Sequence, residues 1–287
     1  MRLPRSLLSW LYVTPLMLVL IPFFVMPIVV VIAASFLQGD GFGGIIPTFT
    51  WENYQGVFGE MLTWNLYVST VKFTVLTWFF TLMIGFWIAY YLVFHIRSEL
   101  LAMGLFLVCT VPFWTSNIIR MISWIPLLGQ NGLVNMALTG SGIIKEPLKV
   151  LLFSDFSVVV AYVHQLTIFM IVPIFNSLAR VDKRVVEAAL DAGASRWDIM
   201  RYIIFPLARS GIALGSIFVI SIVMGDFFVV KVMSGGNSAS VVAALFENIS
   251  VLQYPTAAAN AVVLMIVVVL MIGAILRKVD IRKEIAQ

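Results

Sequence analysis

Residues able to do chemistry are few in this chain. Two histidines, His95 and His164, and one cysteine, Cys109, occur in 287 residues. Cys109 sits inside an apolar run, so neither a disulfide framework nor a Cys-based metal site is available, and two separated imidazoles argue against metal catalysis. No nucleophile, base or metal cluster converges. What remains is recognition chemistry. Asp226 lies near the end of an apolar run, and ionisable residues there usually face a bundle interior or cavity. A carboxylate in that position would attract a cation; a local pair with Lys231, or a solvated helix end, is the competing role. Phe113, Trp114, Trp124 and Tyr162 could offer alkyl-ammonium groups an aromatic surface, although aromatics also gather at membrane interfaces for lipid-related reasons. His164, beside Gln165, lacks an adjacent acidic chain, so an interhelical hydrogen bond suits it better than a proton relay. Lys72 can snorkel to an interface. Arg120 would oppose a cation and is expected to face an external partner or a headgroup.

The elements that must position these groups are apolar helices. The chain is 61% hydrophobic and 11% charged, with a mean hydropathy of +1.04, against roughly 25% charge in an average soluble domain. Six runs approach or exceed the roughly 20 residues a spanning helix needs: 11–37, 66–94, 100–124, 151–176, 210–232 and 257–276. All must be helical, because backbone polar groups in lipid are satisfied within the segment. The first run is too long for the roughly 7–15-residue core of a signal peptide and is expected to stay as a membrane helix. Arg2, Arg5, Arg97, Arg180, Lys183, Arg184, Arg196, Arg201, Arg209, Arg277, Lys278, Arg282 and Lys283 fall on one side, thirteen of the eighteen Lys and Arg. The net charge of +4 therefore reflects topology rather than nucleic-acid binding, and places both termini in the cytoplasm. The opposite side holds Arg120, Lys145, Lys149 and Lys231. There, Gly39–Gly44 reads as a turn or loop, and Ile125–Val150 as a short helix near the surface.

The longest basic loop, 177–209, has mechanical features of its own. Asp182 is a candidate N-cap, and Val185–Ala192 is free of strong breakers. Val186 and Leu190 share one face, as do Ala189 and Gly193. Gly193 suits a left-handed helix end, Ser195 and Asp198 resemble a capping box, and a second helix runs through Trp197 and Ile204 until Pro206 closes it. The loop is thus a helix–turn–helix outside the membrane, with Glu187 exposed. An amphipathic interfacial loop would look similar.

Within that loop, EAALDAGASRWDIMRYIIFP over Glu187–Pro206 resembles the E-A-A-x3-G-x9-I-x-L-P signature of inner-membrane permeases of bacterial ABC importers. Glu187, Ala188, Ala189, Gly193, Ile203 and Pro206 match, and Phe205 replaces Leu. The resemblance extends along the chain. Pro112–Asn135, Gly225–Gly236 and Gln253–Ala261 are similar to segments of the spermidine/putrescine permeases, although Thr256 and Ala257 replace an aromatic and a glycine in the last. The resemblance implies an all-α polytopic membrane protein with six transmembrane helices in a type I ABC importer permease-like (MetI-like) bundle, a single permease domain spanning 1–287. It implies that the 187–206 loop docks on an ATPase, coupling hydrolysis to transport. It also implies two ATPase copies, a second permease (a paralogue is favoured), a periplasmic solute-binding protein and a bacterial inner-membrane location. No G-x-x-x-x-G-K-[ST] phosphate loop occurs in this chain, so ATP and Mg would be bound by the partner ATPase, and no cofactor is expected here. Asp226, Trp114, Trp124 and Tyr162 are the substrate-path candidates, with a polyamine or related organic cation as cargo. Another small solute on the same machinery remains open. A secondary transporter is a further alternative, disfavoured by few intramembrane acids and no clear internal repeat.

Overall fold

The structure, a computed structural model, describes residues 5–277. Arg2, Lys278, Arg282, Lys283 and both chain ends, on which the orientation partly rests, lie outside the described residues. Among the described residues, five helices are long and apolar enough to cross a membrane: Tyr12–Ala34, Met61–Phe94, Asp155–Leu178, Arg196–Gly225 and Tyr254–Leu276. A bent pair, Glu99–Trp114 with Asn117–Gly140, makes a sixth span if counted as one. The described elements fall into two compact units, one holding residues 5–65 together with Ala244–Ile266, the other holding Leu66–Ala243 and residues 267–277.

The first unit opens with helices α1 (Arg5–Leu20) and α2 (Met26–Ala34), joined through a π-turn at Ile21–Val25 that contains Pro22. A proline lacks the N–H for the usual ladder, and a locally wider turn accommodates its ring. None of the Tyr12–Ala34 window is buried. The sequence reads Gly39–Gly44 as a loop; the structure makes it the tip of an antiparallel hairpin, β1 (Leu37–Gly39) and β2 (Ile45–Phe49). Among the described residues the fold is the expected helical one, with this small two-stranded hairpin added. Asp40 Oδ1 holds the turn by accepting from the Phe42 and Gly44 N–H groups at 2.8 and 2.7 Å. Phe36, Phe49, Trp51 and Tyr54 cluster beside it with centroids 5.1–5.9 Å apart. Helix α3 (Glu52–Gly59) comes next.

The second unit carries the core. Helix α4 (Met61–Phe94) turns Thr70, Phe73, Thr74, Thr77, Thr81 and Gly85 inward. That three-and-four spacing places them on one face; Thr70, Thr74 and Thr81 satisfy their hydroxyls by donating to carbonyls four residues back, each at 2.8 Å, whereas the buried Thr77 Oγ1 has no hydrogen-bond partner among the described residues. The next span departs from the straight helix read over 100–124. Helix α5 (Glu99–Thr110) ends in a 3-10 turn at Val111–Trp114, and the chain bends by 93° into α6 (Asn117–Ile122), α7 (Trp124–Leu128) and α8 (Leu133–Gly140). Pro112 removes a ladder donor at the bend, and Thr115 Oγ donates to the Pro112 carbonyl at 2.9 Å. Arg120, expected to reach an external partner, is instead 7% exposed. Its guanidinium donates to the Thr115 carbonyl, at the break, at 2.8 Å and to the Asn117 side-chain Oδ1 at 3.2 Å, so the buried charge is hydrogen-bonded within the bend.

Helix α9 (Asp155–Leu178) starts from a capping box on Ser154 and packs along α12 (Phe205–Gly225). Glycines permit the approach: a Cβ on Gly211 would lie 2.7 Å from Ile174 Cα, and one on Gly215 3.1 Å from Met170 Cα. Ser177 Oγ donates to the Leu207 carbonyl at 2.8 Å, and Trp78 Nε1 to Ser216 Oγ at 2.8 Å. Tyr162, Leu166, Met170, Ile174, Val219 and Val223 fill the interior. The sequence places the fifth span at 210–232; the helix instead begins at Arg196 and ends at Gly225. Beyond it come α13 (Phe228–Ser234), α14 (Val241–Ser250) and α15 (Tyr254–Leu276).

Candidate functional site

Between α9 and α12 lies the loop singled out in the sequence. Helix α10 (Lys183–Asp191) begins at Asp182, whose side chain accepts from the Arg184 N–H at 2.9 Å. It ends with two bonds characteristic of a left-handed terminus: Gly193 N–H to the Leu190 carbonyl at 2.9 Å, and Ala194 N–H to the Ala189 carbonyl at 3.0 Å. Gly193 has φ of 85°. Ser195 then caps α11 (Arg196–Ile199) reciprocally, its Oγ accepting from the Asp198 N–H at 3.2 Å and its own N–H donating to Asp198 Oδ2 at 3.1 Å.

The second helix does not stop at Pro206. Helix α11 passes through a π-turn at Met200–Ile204 directly into α12, with Pro206 in the first turn of α12. The wider turn frees the proline ring from the carbonyl it would otherwise meet. The two faces of the loop also divide differently from the sequence reading. Val186, Ala189, Ala194 and Ile203 pack toward the core, whereas Glu187, Ala188, Gly193 and Pro206 are exposed. Leu190 parts from Val186 and turns outward with Val185 and Trp197, the last 67% exposed. The exposed residues of the loop thus mix apolar Val185, Leu190 and Trp197 with the charged Arg184, Glu187, Asp191, Arg196 and Asp198.

The four substrate-path residues separate into three places. Tyr162 and Asp226 meet: the phenol, 1% exposed, donates to Asp226 Oδ1 at 3.2 Å. The same oxygen accepts the Val229 N–H at 2.9 Å, so Asp226 caps the start of α13 just past the end of the span. Burial raises its carboxyl above the usual value, opposed by the Val229 N–H, the Tyr162 hydroxyl and the Phe228 N–H. Trp124 is elsewhere, donating from Nε1 to His164 Nδ1 at 3.3 Å; this supplies the histidine with the inter-element bond expected of it. Both line an apolar cavity of about 550 Å³ with Phe80, Val160 and Val163. Trp114 stands apart at the 3-10 turn, 83% exposed. The sequence reading overlooked Asp155, which pairs with Lys72 and accepts from Ser238 Oγ at 2.6 Å. The Ser-Asp start of α9 was the one local signal available. Lys72 is accordingly an ion-pair partner and not a free snorkelling cation. Among the described residues, no group of three or more His, Cys, Asp or Glu side chains is placed to hold a metal.

A bundle of apolar spans with a structured helical loop between two of them defines a multi-pass membrane protein. Residues 98–283 match the family described as "binding-protein-dependent transport system inner membrane component", and the chain belongs to that family. It is 30% identical over 256 residues to the spermidine/putrescine transport system permease protein PotB of Salmonella typhimurium, covering 88% of this chain and 87% of that protein. Identity to PotB of Haemophilus influenzae is 32% over 221 residues, covering 76% and 75%. Among solved structures, it superposes on a bacterial ABC transporter involved in import of the acidic polysaccharide alginate with a TM-score of 0.70, covering 96% of this chain and 97% of that one. At 15% identity, that likeness establishes the permease fold and nothing about cargo. The chain is an inner-membrane transport permease.

Proposed function

We propose that this permease is one of the two membrane subunits of an ABC importer for polyamines, working with a paralogous second permease, two ATPases and a periplasmic solute-binding protein. The observation that carries the cargo is the similarity to spermidine/putrescine permeases along nearly the whole chain, where the alginate likeness is one of fold alone. Both termini and the 177–209 loop are cytoplasmic in this proposal, as the described basic residues Arg180, Arg184, Arg196, Arg201 and Arg209 favour.

The outer face of α10 and α11 docks on an ATPase. Glu187 meets a basic group there while Leu190 and Trp197 seat in an apolar groove; Ala188 and Gly193 allow close approach. Ala189 and Ile203 act from within, joining the loop to the core, and exposed Pro206 opens α12. ATP and Mg are bound by the ATPase, and no cofactor is needed in this chain. On the cargo side, Asp226 contributes negative charge at the break between α12 and α13, positioned by Tyr162, while Trp124 and Trp114 offer aromatic faces to alkyl-ammonium groups.

The test is uptake of labelled spermidine and putrescine, with parallel systems deleted, in cells lacking this chain and in complemented cells. Loss and recovery of ATP-dependent uptake is expected. Unchanged uptake discards polyamines as cargo and leaves the family membership intact.

A further inference from the structure

Lys72 on α4 and Asp155 in the first turn of α9 form an ion pair between two spans. Their side chains are 50% and 40% exposed. Lys72 Nζ donates to Asp155 Oδ2, while Oδ1 accepts from the Ser238 hydroxyl at 2.6 Å. Ser238 is itself fixed: its carbonyl accepts from Ser234 Oγ at 2.9 Å, and its neighbour Asn237 donates from Nδ2 to the Phe153 carbonyl at 2.9 Å. One carboxylate oxygen is therefore held by the segment after α13, and the other is presented to an ammonium.

We propose that Asp155 Oδ2 is a binding position for a primary ammonium group of the cargo, and that Lys72 occupies it as an internal competitor when no cargo is present. The inference rests on polyamine being the cargo. Three physical points carry it. Lys72 ends in a primary ammonium on a four-methylene stem, the same group that a diaminoalkane presents at each end. A pair this exposed is weakly held, so one ammonium can replace another at little net cost; a buried pair would be locked. The carboxylate also keeps its charge and direction during the exchange, through the α9 N-terminal dipole and the Ser238 hydroxyl. An arginine at position 72 would hold the carboxylate in a bidentate clasp and resist displacement. Lysine offers a single point charge.

Exchange has a structural consequence. When cargo takes the carboxylate, α4 is released from α9 at this point, while the Ser238 tie remains. Arrival of cargo is thereby registered as loss of one link between two spans.

The test is equilibrium binding of labelled putrescine to the complete permease–ATPase assembly in nanodiscs, with the solute-binding protein omitted so that it does not compete. Lys72→Met, which keeps the stem and removes the charge, is expected to lower Kd about fivefold. Asp155→Asn is expected to raise Kd about tenfold or more, and Lys72→Met with Asp155→Asn to bind as poorly as Asp155→Asn alone. A purely structural strut predicts the opposite: both single variants lower the melting temperature, neither tightens binding, and Lys72→Arg restores wild-type behaviour. A Kd in Lys72→Met that is unchanged or raised overturns the proposal, whatever happens to melting. Wild-type assemblies that transport putrescine when the solute-binding protein is supplied, but do not bind it detectably in its absence, also overturn it. Wild-type assemblies that, once the solute-binding protein is restored, transport neither putrescine nor spermidine overturn the cargo assignment itself, and this inference falls with it.

Discussion

Gly193 acts through its backbone conformation, with open space where a side chain would stand. A Cβ there would meet no atom within 4 Å, yet φ is 85°. A bulky residue at that φ costs on the order of 1–2 kcal/mol, and the strain is relieved by re-angling α10 against α11. Gly193→Leu is therefore expected to insert normally while ATP hydrolysis by the assembled complex continues and uptake falls severalfold; Gly193→Asn, which tolerates the left-handed region better, should be milder. Simultaneous ATPase and uptake measurements on one preparation check this, and normal uptake by the leucine variant would falsify the coupling role. Asp226 poses a different question, since its carboxylate both caps α13 and carries charge. Asparagine caps about as well as aspartate, so Asp226→Asn should leave the melting temperature unchanged and lower cation uptake. Asp226→Ala should lose uptake and also about 1 kcal/mol of stability. Equal uptake in the aspartate and asparagine forms would reduce Asp226 to a cap. The legibility of these residues in the sequence depends on range. Asp182, Gly193 and the Ser195–Asp198 box were readable because a cap bonds within three or four residues. Lys72 and Asp155 are 83 residues apart, and nothing in either neighbourhood points to the other.

At the scale of elements, hydropathy located apolar segments well but could not tell a straight helix from a broken one. The run 100–124 stays apolar through Pro112, so composition alone continues a helix where the backbone turns by 93°. Arg120 looked outward for the same reason: its inward bonds, to the Thr115 carbonyl and Asn117 Oδ1, are made at the bend. Pro206 misled in the opposite direction. It reads as a terminator, but the π-turn at Met200–Ile204 carries the helix past it. The pairing of α9 with α12 rests on small residues, whose significance appears only once the opposite helix is known. Gly211 lies under Pro173 and Ile174, so Gly211→Leu should separate the two helices and destabilise the chain by about 1–3 kcal/mol or more. A lower melting temperature in detergent, together with reduced membrane yield, is the expected result. Gly104, where a Cβ meets nothing within 4 Å, is the control position at which Ala should be neutral.

At the scale of the whole molecule, this chain is one part of a machine. The Tyr12–Ala34 span buries none of its window within the chain, so lipid or another subunit must cover it, since leaving it in water is ruled out by the hydrophobic cost. The purified chain alone is expected to hydrolyse no ATP, with activity appearing only when ATPase subunits are added. A phosphate-release assay on the two preparations checks this. The fold family was legible in the sequence through the Glu187–Pro206 segment. The companions were not, beyond what the family implies, because their contact surfaces lie on other chains.

The uninterrupted run from Arg196 to Gly225 has a mechanical consequence. Thirty residues of helix make a rod about 45 Å long, with Ser195 at one tip and Asp226 at the other. Tilting such a rod by about 5° sweeps its far tip through about 4 Å, comparable to the width of a methylene chain. The π-turn at Met200–Ile204 lies close to its base. A lever of this kind needs no relay of rearranged side chains between its ends: its output is set by length and pivot, and its timing by how soon the base is pushed.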